Sequence, residues 1–148
     1  AGHVEVAEAV AANVRSGVPV VRTVLRPRPL ERVAGERIAF FGTAPQQWGP
    51  TIGRHLEEAH GARVTHVSGA LSDRAALRRE LDSVDAETFV VELKAAAVDV
   101  VIEEAVTRGV RVVLATSDVV PLPGEPVLDV LVGALAAEAV ALGPRAVA

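Results

Sequence analysis

Hydrophobic positions along the chain follow two alternating spacings, one typical of buried strands and one typical of amphipathic helices. Short apolar runs predict strands at residues 37–41, 63–67, 88–91 and 110–115. Helical spacing predicts helices at residues 50–60, 73–84, 94–108 and 126–142. In the second of these helices we expect Ser72 to be the N-cap, Leu77 and Leu81 to face inward, and charged residues, Glu80 among them, to face solvent.

This alternation of strand and helix implies parallel strands joined by right-handed crossovers, with helices on both faces of the sheet. We therefore expect an α/β fold, a Rossmann-like three-layer sandwich with a mainly parallel sheet. Upstream, the pattern predicts a helix at 4–15, a strand at 18–25 and an extended, proline-containing connector at 26–36. The predicted organisation is a terminal helix and strand of a preceding unit (1–25), the connector, and a C-terminal domain (37–148).

The last predicted helix, at residues 126–142, is apolar nearly all round, with Asp129 and Glu138 as its only charged residues. A helix of this kind needs cover on most of its sides. It either packs deep within its own domain or meets another domain or subunit. We favour the second arrangement, so a homodimer is a possible assembly.

Composition excludes several classes of function. A length of 148 residues suits one domain, and a net charge of −4 argues against nucleic acid as the main partner. The chain has no cysteine, which excludes thiolate metal sites, and its four histidines are not spaced as metal ligands. We therefore expect no metal site. Neither a transmembrane run nor a secretory leader is visible, so no membrane contact and a cytoplasmic location are expected.

Candidate site residues follow the predicted strands, because ligands of open parallel sheets bind outside the carboxyl ends of the strands. They are Thr43, Ser68, Glu92, Lys94 and Asp118, together with Arg74 in the first turn of a helix. Helix N-termini point at the same edge and favour negative charge. The pattern therefore predicts a polar or anionic small-molecule ligand.

Each candidate also has an ordinary structural interpretation. Lys94 and Glu92 could form a solvated ion pair, and Arg74 could be a helix-surface residue instead of a bidentate phosphate ligand. Thr43 could simply cap a turn. Asp118 could be a turn residue or a magnesium ligand. The sequence has no P-loop, no G-x-G-x-x-G after a strand and no G-x-S-x-G elbow, so no reaction is specified by these motifs.

Four segments together resemble the C-terminal part of cyclic 2,3-diphosphoglycerate synthetases. They are IAFFGTAP (38–45), HVSGALSDR (66–74), VELKAAAVDVV (91–101) and VVPLPGE (119–125). The preceding GVPVVRTVLRPRP (17–29) is similar to that family's passage from its nucleotide domain into this region. Gly42 stands where the family pattern has Thr, and Ser117-Asp118 where it has Asp-Asn. These two departures leave the exact substrate open.

The resemblance implies an enzyme that uses ATP, with Mg²⁺, to close 2,3-bisphosphoglycerate into an intramolecular phosphoanhydride. ATP would bind mainly to a P-loop domain upstream, of which residues 1–25 would be the end. This chain alone would then bind neither cofactor and would be inactive. Thr43, Ser68, Arg74, Glu92 and Lys94 occupy family-like positions. Strand-end geometry assigns them to the phosphorylated substrate, with Lys94 as the catalytic candidate and Asp118 as a further binding residue.

Two other interpretations remain open at this point. The chain could be a non-catalytic Rossmann-like module that binds a small anion or dimerises through its last helix. It could also resemble the C-terminal domain of an amide-forming ligase of the Mur type, whose alternating topology would fit although no motif selects it.

Overall fold

The computed structural model describes residues 2–93 and 95–143. Within these residues the strands are β1 (Thr23–Pro29), β2 (Arg37–Phe41), β3 (Arg63–Ser68), β4 (Thr88–Glu92) and β5 (Arg111–Pro121). The α-helices are α1 (Gly2–Asn13), α2 (Gly49–His60), α3 (Arg74–Leu81), α4 (Val98–Arg108) and α5 (Leu128–Leu142). A short 3₁₀ turn, Gln46–Trp48, precedes α2.

The five strands form one sheet in the order β1-β5-β4-β2-β3. The neighbours β3, β2, β4 and β5 are parallel. The edge strand β1 runs against β5, because the amide of Leu30 donates to Leu114 O and the amide of Leu122 donates to Arg22 O. The predicted α/β class is confirmed, but the sheet is mixed and curled rather than purely parallel.

Helices cover both faces of the central strands because alternate strand residues point to opposite sides. Ala39, Phe41, Phe89 and Val91 pack with residues of α3 and α4 on one face. Ile38, Phe40 and Val90 pack with Ile52 and Leu56 of α2 on the other. The chain moves from β2 outward to β3 and then returns to the far side of β2 as β4. The strand order therefore reverses between β2 and β4, and that is where open α/β sheets bind ligands.

The first strand lies later in the chain than the sequence predicts. The expected strand at 18–25 is wrong in its first five residues, and β1 extends to Pro29, inside the predicted connector. Pro27 and Pro29 lack the N–H that a central strand needs. An edge strand tolerates them, which is the position β1 has.

Two helix starts also differ from prediction. Asp73, not Ser72, is the N-cap of α3, and its carboxylate accepts hydrogen bonds from the amides of Ala75 and Ala76. The fourth helix begins at Val98 rather than at residue 94, and residues 96–97 form a turn before it. Lys94, the predicted first residue of this helix, lies outside the described residues.

The last strand is longer than predicted. β5 extends to Pro121, so the expected loop at 117–124 is wrong for its first five residues, and Asp118 lies within a strand. The pairing of β1 with β5 explains the extension, because each strand supplies hydrogen-bond partners to the other.

The chain forms two compact units. One comprises Arg26–Asp118, and the other combines Ala1–Leu25 with Val119–Ala148. The predicted C-terminal domain at 37–148 thus has residues in both units. Helix α5 exposes Val130, Val132, Leu135 and Val140. No helix in the described part of the chain is long and apolar enough to cross a membrane.

Candidate functional site

The loops that follow β2, β3 and β4 meet at the carboxyl edge of the parallel strands. The amide of Gly42 donates to Ser68 O at 3.0 Å, and the amide of Leu71 donates to Gly42 O at 3.1 Å. The amide of Ala97 in turn donates to Leu71 O at 3.2 Å. These backbone bonds join three connections that are far apart in sequence, so the candidate residues on them share one edge.

Thr43 and Glu92 face each other at the point where the strand order reverses. Thr43 follows β2, and Glu92 is the last residue of β4. Glu92 Oε2 accepts hydrogen bonds from the backbone N–H of Thr43 at 2.8 Å and from its hydroxyl at 2.9 Å. A Cβ on Gly42 would lie 3.2 Å from the same oxygen and 2.7 Å from the ring of Phe40. A side chain at position 42 would therefore force the Phe40 ring and the Glu92 carboxylate to shift.

Gln46 fixes the same loop from the side of β3, a role that sequence reasoning missed. Its side-chain amide donates to Val67 O at 3.2 Å and accepts from the amide of Gly69 at 3.2 Å. A Cβ on Gly69 would lie only 2.3 Å from Ala44 O, which no side chain tolerates. The dipeptide Ser68-Gly69 after a predicted strand was the one available signal, since glycine there suggests a close backbone approach.

Ser68 is a buried side chain at this edge. It is 1% exposed, and its hydroxyl donates to Glu80 Oε2 and accepts from the amide of Ala70 at 3.1 Å. Glu80 is half-buried, so the prediction that it faces solvent is wrong. His66 Nε2 lies 3.6 Å from the same carboxylate oxygen. Ser68 thus has its hydrogen bonds within the protein, as buried polar groups generally do.

Arg74 forms a bidentate ion pair with Asp99 across the first turns of α3 and α4. The two N–O distances are 2.8 and 2.6 Å. The hydrogen bond from Arg74 is the main cause that holds the pKa of Asp99 below its usual value. The guanidinium has the fork geometry that also binds phosphate, but a carboxylate of this chain already uses it.

Asp118 lies apart from the contacts that join Thr43, Ser68 and Arg74. On β5 it accepts a hydrogen bond at 2.9 Å from the guanidinium of Arg28 on β1. Both side chains are about half exposed, so this pair contributes little to stability. Among the described residues there is no group of three or more His, Asp or Glu side chains that could hold a metal ion.

A common pattern links the three donors that the structure brings to the carboxyl edge: each is paired with a carboxylate of this chain. Thr43 binds Glu92, Ser68 binds Glu80 and Arg74 binds Asp99. These carboxylates come from neighbouring elements and could not be matched to their donors from the sequence. At this edge each donor therefore already binds a negatively charged oxygen. A ligand anion would have to displace one of these carboxylates to reach its donor.

The chain is an α/β domain. In its described part, hydrogen-bond donors that suit anionic oxygens lie at the carboxyl edge of the sheet. Residues 29–118 match the family model described as the cyclic 2,3-diphosphoglycerate synthetase C-terminal domain. The chain belongs to this family, which confirms the resemblance. The matched range lies entirely within the larger compact unit, Arg26–Asp118.

Several relatives are named cyclic 2,3-diphosphoglycerate synthetase. That of Rubrobacter xylanophilus is 40% identical over 124 residues, which cover 83% of this chain and 26% of the relative. That of Thermococcus gammatolerans is 46% identical over 104 residues, or 70% of this chain and 23% of the relative. The match to the Methanothermobacter thermautotrophicus protein is 36% over 96 residues, or 64% and 21%. The chain thus spans about a quarter of the length of these relatives.

Proposed function

We propose that this chain is the substrate-side, C-terminal domain of a synthetase that uses ATP to form the intramolecular phosphoanhydride of cyclic 2,3-diphosphoglycerate. The family match over residues 29–118 carries the proposal. The convergence of Thr43, Ser68 and Arg74 at one edge supports it, because the substrate has two phosphate groups and a carboxylate. The domain would act in the cytoplasm, on a phosphorylated small molecule.

The proposed reaction joins two negatively charged phosphate groups, so the protein must offset their negative charge. Two phosphate groups that join each other repel, and preorganised cations and N–H donors lower that cost in the transition state. In this proposal Lys94 is the catalytic cation, Thr43 and Arg74 bind phosphate oxygens, and Ser68 orders the loop after β3. Glu92 lies at the Thr43 donors, and Asp118, apart from them on β5, is a further binding candidate. Arg74 would exchange Asp99 for a substrate phosphate.

ATP and Mg²⁺ would bind to another part of the protein. The sequence contains no P-loop, and the described residues have no acidic cluster that fits a metal ion. The relatives are about four times longer than the matched segment, which leaves room for a nucleotide-binding domain upstream. This chain's own residues would hold the substrate and exclude water from it.

The test compares two proteins, this 148-residue chain and a longer protein that carries it after a P-loop domain. We expect ATP-dependent cyclisation of 2,3-bisphosphoglycerate by the longer protein only. Lys94→Ala should lower kcat by about 10²–10³-fold, the scale for loss of one transition-state donor. No cyclisation by the longer protein would contradict the proposed activity.

The role of Arg74 needs a matched comparison, because its loss also leaves Asp99 unpaired. If Arg74 binds substrate, Arg74→Ala should raise KM far more than Asp99→Asn, which removes only the partner. Equal effects of the two substitutions would show that the pair is structural, and would leave the proposed reaction itself untouched.

A second candidate function is self-association through α5. It is favoured by Val130, Val132, Leu135 and Val140, which the described part of α5 exposes. Apolar side chains gathered on one exposed helix are typical of an interaction surface. Sedimentation of the chain should then show a dimer that Val132→Glu and Leu135→Glu together convert to a monomer. A monomer at every concentration would exclude this function.

A further inference from the structure

The contact between Thr43 and Glu92 has the geometry of a bound anion. A single carboxylate oxygen, Glu92 Oε2, accepts both the backbone N–H and the hydroxyl of Thr43, at 2.8 and 2.9 Å. Donors aimed at a charged oxygen form short, strong hydrogen bonds. An oxygen of a ligand's phosphate group has the same charge and acceptor capacity, so it could make the same two bonds.

The position of this contact is the second observation. It lies between the ends of β2 and β4, where the strand order reverses and where α2 starts on one face while α3 and α4 lie on the other. A crevice at such a point is the usual ligand site of an open α/β sheet. Glu92 therefore places its carboxylate where a ligand is expected to place its own anionic group.

The loop does not depend on Glu92 for its conformation. Both backbone groups of Gly42 are bonded, to Ser68 O and to the amide of Leu71. Gln46 clamps the loop to Val67 O and to the amide of Gly69. Because these bonds already fix the loop on both sides of Thr43, the Thr43 donors would keep their position if the carboxylate left.

We infer that Glu92 is an internal anion, which occupies the Thr43 donors in the ligand-free protein and must release them before a phosphate group binds. A phosphate and a carboxylate cannot share one pair of donors, because like charges at that distance repel. Glu92 thus weakens the binding of anions at Thr43 and gates the site. The inference rests on the proposed function only in taking 2,3-bisphosphoglycerate as the natural ligand.

The test measures binding of inorganic phosphate and of 2,3-bisphosphoglycerate to the 148-residue chain, by titration of the Thr43 amide resonance. Glu92→Gln keeps the shape and removes the charge, and it should bind phosphate about tenfold more tightly, since hydrogen bonds to charged groups are stronger than neutral ones. Glu87→Gln is the matched control. Glu87 accepts the amide of Arg37 at 2.9 Å, at the opposite edge of the same strands.

Glu87→Gln removes the same charge from the molecule, so it should leave the affinity close to that of the unmodified chain. The gain in Glu92→Gln should be retained with Thr43→Ser and lost with Thr43→Val, because only serine keeps the hydroxyl donor. The amide spectrum of each variant reports whether it is folded.

Three results would overturn the inference: equal affinities of Glu92→Gln and Glu87→Gln, weaker binding in a folded Glu92→Gln, or binding that does not move the Thr43 resonance. If Glu92→Gln binds phosphate more tightly but 2,3-bisphosphoglycerate does not bind, the inferred role of Glu92 is supported and the proposed function fails. The two hypotheses are thereby separated.

Discussion

At the scale of single residues, carboxylates of this chain accept hydrogen bonds from backbone N–H groups that secondary structure leaves free. Asp73 accepts from the amides of Ala75 and Ala76, both at 3.0 Å, at the start of α3. The bond from Ala76 is the first of the causes that lower the pKa of Asp73. The sequence offers Ser72 equally well, since serine and aspartate are similar N-caps.

We expect Asp73→Ala to lower the melting temperature by about 2–4 °C, the usual effect of losing one N-cap in a domain of this size. Ser72→Ala is the matched control and should leave the melting temperature within about 1 °C. The reverse order of the two effects, measured by thermal unfolding followed by circular dichroism, would show that Ser72 is the functional cap.

At the scale of elements, the bounds of a strand or helix could be predicted from the sequence only where they depend on neighbouring residues of the chain. The strand at residues 37–41 was predicted with the bounds it has in the structure, because a continuous apolar run that ends at a glycine indicates burial on both faces. The ends of β5 and β1 were not predictable, because each strand extends only where the other supplies partners. The start of α4 was missed for a similar reason, since the residues before Val98 are held by backbone contacts across the carboxyl edge.

The close approach of the β2 and β3 loops gives a prediction for Gly69. A Cβ there would collide with Ala44 O at 2.3 Å, so Gly69→Ala should destabilise the chain by about 1–3 kcal/mol, the range for overpacking. Gly53 lies inside α2, where a Cβ meets Val64 and Val67 at an ordinary 3.6 Å. Gly53→Ala should therefore stabilise by about 0.5–1 kcal/mol. Urea unfolding of both variants measures the difference.

If Gly69→Ala proves as stable as the unmodified chain, the loops do not pack as closely as described. The Gln46 clamp would then be too loose to hold Thr43, which would also weaken the inference about Glu92.

At the scale of the whole molecule, the directions in which folding shifts the pKa values of His55, Glu36 and Asp99 predict that acid destabilises the fold in two stages. Burial is the main cause that lowers the pKa of His55 below 6.5. The hydrogen bond from Thr88 lowers the pKa of Glu36 below 4.5, and the one from Arg74 lowers that of Asp99 below 3.8. A group whose pKa is depressed by folding contributes stability above its unfolded pKa and loses it as the pH falls.

We therefore expect the free energy of unfolding to fall first below about pH 6.5, as His55 is protonated more readily in the unfolded chain, and again below about pH 4.5. His55→Gln should remove the first decline and keep the second. Urea unfolding at about pH 7.5, 5.5 and 3.5 measures both. A first decline that persists in His55→Gln would assign it to another group.

The amino-acid sequence by itself determined the α/β class, the order of the elements after residue 36, the family, and the set of strand ends that carry polar groups. It could do so because burial periodicity and turn residues are local properties of the chain. The tertiary structure alone decided the place of β4 beside β2, the antiparallel edge strand β1, and the carboxylate that each donor binds. Thr43 and Glu92 are 49 residues apart, and only the pairing of β2 with β4 brings them into contact.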